Sequence, residues 1–178
     1  MQEKAIVGDA LAAGLTMNTA GCVDVGAPRF HYALECRDAD GNLKWADEFD
    51  NLVTTAGKTD LVDKYFKGSA YTAAWYLGLK GAGTAAAGDT LASHAGWAEV
   101  TPYAGNRPAI TFGTTSGGSN TATTVSYSIT GSATVAGAFI SNANTGTSGV
   151  LYSAGDFSAS RSVSNGDTLN VTVTVSAS

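Results

Sequence analysis

From Pro108 to Ser178 the chain carries only three charged residues, Asp156, Arg161 and Asp167. The rest of that stretch is mainly Thr, Ser, Gly, Ala and Val in short alternating runs. Alternation with a period of two is the pattern of half-buried β-strands. Proton-transfer chemistry needs titratable side chains, and this half supplies almost none. Such a chain is limited to hydrogen-bonded β-structure with small-residue surfaces, which favours close packing against other copies or other proteins over catalysis.

A length of 178 residues predicts one ordinary domain or a domain with a smaller companion. At that size folding buries roughly 70% of the unfolded chain's surface, so a core holds without disulfides or metals. Charged residues make up 14% of the chain, low against about 25% in a typical soluble domain. The net charge is −5 and the ten basic residues form no run. That excludes the clustered Lys/Arg surface that nucleic acid binding requires. No apolar stretch reaches the ~18 residues of a membrane span. The run Ala5-Ile6-Val7 is cut by Gly8 and Asp9, a poor signal peptide, so synthesis is expected in the cytoplasm. Cys22 and Cys36 have no second pair or His cluster near them, so neither a zinc site nor any cofactor is expected. Cys36 shares strand parity with Phe30, Tyr32 and Leu34 and reads as a buried thiol; a Cys22–Cys36 bridge is the alternative.

Residues 1–27 are rich in Ala and Gly without sustained period and read as an N-terminal arm, ahead of a β-sandwich domain over 28–178 whose Ser/Thr/Gly-rich half begins near 108. Asp38-Ala39-Asp40-Gly41-Asn42 predicts a hairpin turn between a strand from Phe30 and a return strand. The return strand is expected to place Leu43, Trp45 and Phe49 inward. A short helix follows, with Thr55 as cap, an apolar stripe of Leu61, Val62, Tyr65 and Phe66, and Gly68 at its left-handed end. A strand is expected through Tyr71–Leu79 and a capped helical turn over Asp89–Gly96. Further strands are expected near Thr123–Thr130, Thr134–Ile140, Gly149–Tyr152 and Thr168–Val175. The expected core uses Phe30, Tyr32, Leu34, Trp45, Trp75, Leu77, Tyr127, Phe139, Leu169, Val171 and Val173. Gly88-Asp89-Thr90-Leu91 recurs as Gly166-Asp167-Thr168-Leu169, with no repeat around it.

Several patterns imitate functional motifs. Ala56-Gly57-Lys58-Thr59 resembles the end of a phosphate loop, yet Leu52 stands where that motif needs its first glycine. Asp38, Asp40 and Asn42 imitate a calcium loop, but Leu43 and Phe49 occupy its glycine and glutamate positions. Ser93, His94 and Glu99, with Asp89 nearby, are the nearest approach to a catalytic set. They share one Gly-flanked loop instead of arriving from separate elements. Trp97 and Tyr103 are the candidate contact residues, either as a platform for sugar rings or as anchors that pin a long loop. The anchoring reading is preferred, with Glu99 and Arg107 as an ion pair. His31 falls on the polar face of its strand. The sequon Asn170-Val171-Thr172 lies inside a predicted strand and is discounted.

The segment Gly88-Asp89-Thr90-Leu91-Ala92-Ser93-His94-Ala95-Gly96-Trp97-Ala98-Glu99, running on to Tyr103 and Arg107-Pro108-Ala109, resembles small structural proteins of tailed bacteriophages. Gly137-Ala138-Phe139-Ile140, Leu151–Phe157, and the opening hairpin through Asn51-Leu52-Val53-Thr54-Thr55 are similar to the same group. The resemblance implies a non-enzymatic virion component, assembled in the bacterial cytoplasm, with no catalytic residues to carry over. The expected fold is mainly β, an antiparallel β-sandwich or jelly-roll-like domain with one or two short helices. The leading expectation is a capsid decoration or cement protein contacting the major capsid protein and other virion proteins, with self-association and neither nucleic acid nor membrane as partner. The alternative is a tail- or fibre-associated host-binding module.

Overall fold

The computed structural model describes residues 28–177 and two short paired strands before them, β1 (Thr16–Met17) and β2 (Val23–Asp24). The rest of the expected arm, with Cys22 and the alternative of a Cys22–Cys36 bridge, lies outside the described residues. Strict alternation makes β3 (Pro28–Arg37) a half-buried strand, with Phe30, Tyr32, Leu34 and Cys36 inward. Its turn is closed by the Asp38 carboxylate, which accepts from the backbone N–H groups of Asp40 and Asn42 at 3.0 and 2.8 Å. Gly41 supplies the positive φ of 85°. These bonds hold Asp38 below the usual carboxylate range, the Asn42 amide contributing most. The apparent calcium ligands are therefore turn-formers.

The return strand β4 (Leu43–Asp50) pairs Cys36 with Trp45 but Arg37 with Leu43. The register shift leaves Lys44 as the extra residue of a bulge. It overturns the expected inward Leu43, which is 55% exposed, while Trp45, Asp47 and Phe49 turn toward the core. Lys44 is thereby aimed across the sheet at Asp167, 2.5 Å away.

Two antiparallel five-stranded sheets form the sandwich. The first runs β5 (Leu52–Val53), β11 (Leu151–Val163), β10 (Ala133–Ser141), β6 (Tyr76–Lys80), β7 (Glu99–Val100). The second runs β4, β3, β12 (Thr168–Ala177), with β8 (Ser119–Thr121) and β9 (Val125–Ser128) both on the far side of β12. Between them lie Tyr32, Leu34, Leu77, Leu79, Tyr127, Ile140, Leu169, Val171 and Val173. Trp45 and Trp75 pack against this core partly buried. Phe139 belongs to a second cluster with Leu91, Trp97, Leu151 and Ala154. That cluster covers the outer face of the first sheet, which explains why Val135–Ser141 is buried at every position.

Strand β6 begins at Tyr76, five residues later than expected, because 71–75 form an irregular lead-in. Strand β11 runs to Val163, well beyond the expected Tyr152. The expected helical turn over Asp89–Gly96 is absent: Thr90 and Ser93 bond reciprocally through their backbones at 2.9 and 3.1 Å. Here the Gly-Asp-Thr-Leu echo has a structural meaning. Asp89 Oδ2 accepts from Ala86 N at 2.9 Å, and Asp167 Oδ2 accepts from Ser164 N at 2.8 Å. Both aspartates also donate N–H back to those same residues at 3.0 Å. The two tetrapeptides close the same kind of turn and deliver a leucine, Leu91 or Leu169, into a core.

Helix α1 (Thr55–Tyr65) is capped by Thr54, not Thr55: the Thr54 hydroxyl accepts from Gly57 N at 3.0 Å and donates to Leu151 O. Gly57 lies so close to β11 that a Cβ there would sit 2.3 Å from Tyr152 O. At the other end Gly68 adopts φ +71° and Ser69 N returns to Asp63 O at 3.1 Å. The helix is thus fastened by its first turn and a glycine. Its expected core stripe faces outward instead, with Tyr65 and Phe66 77% and 78% exposed.

The three charges of the C-terminal half each pair with the other half of the chain. Asp156 meets Lys80 at 2.6 Å, Arg161 meets Asp47 at 3.3 Å, and Asp167 meets Lys44. Asp47 is an inward-pointing charge on an edge strand, which also discourages pairing with a foreign strand. Burial pushes the Asp167 carboxyl up, but Lys44, the Ser164 amide and the Cys36 thiol outweigh it and hold it below its ordinary range. An acid depressed in the folded state contributes stability above its unfolded pKa, about 4, and loses it as pH falls through the folded value. The Lys44 ammonium is raised by the same bond, so its contribution is lost only as alkali passes its folded value. Urea unfolding of Asp167→Asn is therefore expected to show a deficit against wild type at pH 7 that shrinks as the pH falls below 4. An unchanged deficit at pH 3 would assign the loss to packing alone.

Candidate functional site

The loop from Gly81 to Pro108 brings the sequence-predicted residues together as a clasp. Trp97 is buried and donates its indole N–H to Asp89 Oδ2 at 2.8 Å. His94 stacks on the Trp97 ring with centroids 4.0 Å apart, its Nδ1 3.0 Å from Trp97 O. Arg107, also buried, forms a two-pronged pair with Glu99, both distances 2.7 Å. It donates further to the carbonyls of Ala143 and Gly146 at 2.8 and 2.9 Å and lies 5.2 Å over the Phe139 ring. Tyr103 is buried against Tyr127 at 4.7 Å, and burial pushes its hydroxyl up to about 12.

This geometry separates the residues of the apparent catalytic set. Asp89 holds Trp97, Glu99 holds Arg107, and Ser93 closes a turn with Thr90. No nucleophile, base and orienting acid stand in line among them. The rings of Trp97 and Tyr103 are turned inward, as the anchoring reading expects. Lys80 is enclosed beneath the same loop, bonded to the Gly81 and Gly83 carbonyls and paired with Asp156. His31 lies on the outer face of β3 beside Asp50 at 3.1 Å. Asn170 donates to Glu35 and accepts from Ser126. The Cys36 thiol is buried against Asp167 and pushed up to about 11, chiefly by burial.

Sequence reasoning missed a second feature, an apolar trough at one end of the sandwich. Its larger compartment, about 390 Å³, is lined by Pro28, Phe30, Trp75, Phe112, Tyr152 and Val175. A smaller one of about 170 Å³ adjoins it beneath Leu61, Lys64 and Tyr65 of α1. Tyr71, Trp75 and Tyr152 border both. The rings form a chain: Phe30 to Tyr152 at 5.6 Å, Tyr152 to Trp75 at 5.0 Å, Trp75 to Tyr71 at 6.4 Å. Trp75 donates its indole N–H to the Tyr71 hydroxyl at 3.2 Å. The outward stripe of α1 was the available signal. Leu61, Val62, Tyr65 and Phe66 share one helix face, opposite Asp60, Asp63, Lys64 and Lys67, an apolar stripe that has to be covered either by the core or by another surface.

Among the described residues no helix is long and apolar enough to cross a membrane, and no group of three or more His, Cys, Asp or Glu side chains is placed to hold a metal ion. The chain belongs to the Podophage GP4 fiber I protein gp80 family, whose model matches residues 52–176. It is a structural protein of the phage virion, associated with the fibre, in agreement with the resemblance to phage structural proteins. The match covers everything from β5 to β12 and leaves out the β3–β4 hairpin. No curated protein matches the chain.

Proposed function

We propose that the protein is a non-enzymatic structural unit of the phage fibre that works by assembling with copies of itself and with other virion proteins. The family match carries this reading, and it favours the fibre-associated expectation over the capsid cement expectation. The geometry supports it from a separate direction. Asp89, Glu99 and Arg107 are spent on the clasp, whereas Val62, Tyr65, Phe66 and Tyr71 are left facing outward. Exposed apolar patches rimmed by charge mark interaction surfaces. Trp97 and Tyr103 are turned inward, and the α1 ridge is an exposed apolar surface that such contacts can use.

Localisation on the intact particle tests the proposal. A tag at residue 178, seen by immunogold labelling or cryo-EM, is expected to decorate the fibres. Label spread over the head lattice would overturn the fibre assignment and restore the cement reading, with the major capsid protein as partner.

A further inference from the structure

We propose that the trough between α1 and the sandwich end is the receptor for the chain's own N-terminal apolar segment, Ala5–Leu15. The argument starts from where the trough lies. Pro28 lines it, and Pro28 is the residue through which 1–27 join the fold. Ala177 pairs with Pro28 and lines the same compartment, so both ends of the domain meet at this site. Any chain preceding Pro28 starts from the rim.

The chemistry of the two parts matches. Ala5-Ile6-Val7-Gly8-Asp9-Ala10-Leu11-Ala12-Ala13-Gly14-Leu15 carries one charge, at Asp9, and its large side chains are all aliphatic. The trough wall is mainly aromatic and aliphatic, and two of its polar groups are engaged already. The Trp75 indole is bonded to Tyr71, and the Lys64 ammonium to the Ala70 carbonyl at 2.9 Å. A site of this kind rewards buried apolar area.

Length permits the contact. Twelve residues lie between Leu15 and Pro28, and because β1 and β2 fold back on each other with Thr16 opposite Asp24, Leu15 starts within roughly 25 Å of Pro28. The segment therefore reaches the trough of its own copy, or that of a neighbour, without any rearrangement of the sandwich. In an assembly of copies, exchange of this segment locks one unit to the next at low cost. The occupant is the same in either form.

Photo-crosslinking tests the proposal on the purified full chain. A benzophenone amino acid in place of Tyr71 is expected to crosslink to peptides within residues 1–15, and one in place of His31, on the outer face of the sheet, is not. Crosslinks solely to residues 28–177 of another copy, or none at all, would overturn the proposal. Mixing heavy- and light-isotope chains then reports which copy donates the segment. As a second measurement, removal of residues 1–15 is expected to raise the fluorescence of an apolar dye severalfold, and a synthetic peptide of residues 5–15 to reverse the rise. Unchanged dye fluorescence also counts against it. Neither readout uses the particle, so both are independent of the fibre assignment.

Discussion

Arg107→Ala is expected to destabilise the protein by about 3 kcal/mol, the low end of the cost of stripping one partner from a buried ion pair. For a chain of this size that corresponds to a fall in melting temperature of about 6–12 °C. The size follows from how many groups depend on one guanidinium. Its fork satisfies both Glu99 oxygens, its remaining N–H groups reach the Ala143 and Gly146 carbonyls, and its face covers Phe139. Alanine leaves a partly buried carboxylate and the Gly146 carbonyl without their partner, while the Ala143 carbonyl keeps only the Ser141 hydroxyl, which costs more than the bonds themselves gain. Lysine, a point charge without a planar fork, is expected to recover little. The double variant Glu99→Leu/Arg107→Met should be less destabilised than either single alanine variant, because it removes the orphaned charge along with its partner. Thermal melts of the wild type, Arg107→Ala, Arg107→Lys, Glu99→Ala and the double variant decide the matter. Single variants within about 0.5 kcal/mol of wild type would show the clasp to be a surface pair of no consequence.

Why this clasp was legible in the sequence, and the ion pairs that join the two halves of the chain were not, is a question of chain separation. Glu99 and Arg107 stand eight residues apart in one loop, so their pairing is local. Lys44 and Asp167 are 123 residues apart, and Asp47 and Arg161 are 114 apart. Only the sandwich topology brings those residues together. The β3–β4 hairpin and β12 were readable for the opposite reason. Each shows strict alternation, and the hairpin adds an Asp-Gly turn whose chemistry is written in adjacent residues. The bulge at Lys44 was invisible because it is a relation between two strands, and it alone reverses Leu43. The length of β11 escaped detection because Ser153, Ala154 and Gly155 are buried on both faces of their sheet, so no alternation marks them. For α1, the apolar spacing was real, but spacing cannot say which side of a helix meets the core. Its seating is decided by Thr54 and Gly57 against β11. The trough is the least legible feature of all, being assembled from residues as far apart as Pro28, Trp75, Phe112, Tyr152 and Val175.

Gly78→Ala is expected to reverse the usual sign of a strand glycine substitution. In a strand interior, alanine ordinarily gains roughly 0.5–1 kcal/mol over glycine by restricting the unfolded chain. At position 78 its Cβ would lie 2.1 Å from Cζ and 2.3 Å from Cε1 of Phe139, an impossible approach unless the ring moves. The ring has nowhere to go. Trp97 packs on it at 5.3 Å and the Arg107 guanidinium covers it at 5.2 Å, and both belong to the clasp. A loss of about 3 kcal/mol is expected, the upper end of the overpacking range. Phe139→Ala alone is expected to cost about 3–5 kcal/mol by opening a cavity in the outer cluster. In that background the new methyl meets empty space, so Gly78→Ala should become neutral or stabilising. The two substitutions are therefore coupled by about 3 kcal/mol or more, well beyond the ~0.5 kcal/mol within which independent sites add. Urea denaturation of the wild type, both singles and the double variant measures that coupling directly. If Gly78→Ala costs the same with and without the ring, the glycine is required by its backbone or by β10, and the outer cluster does not control how closely the loop seats on the sheet.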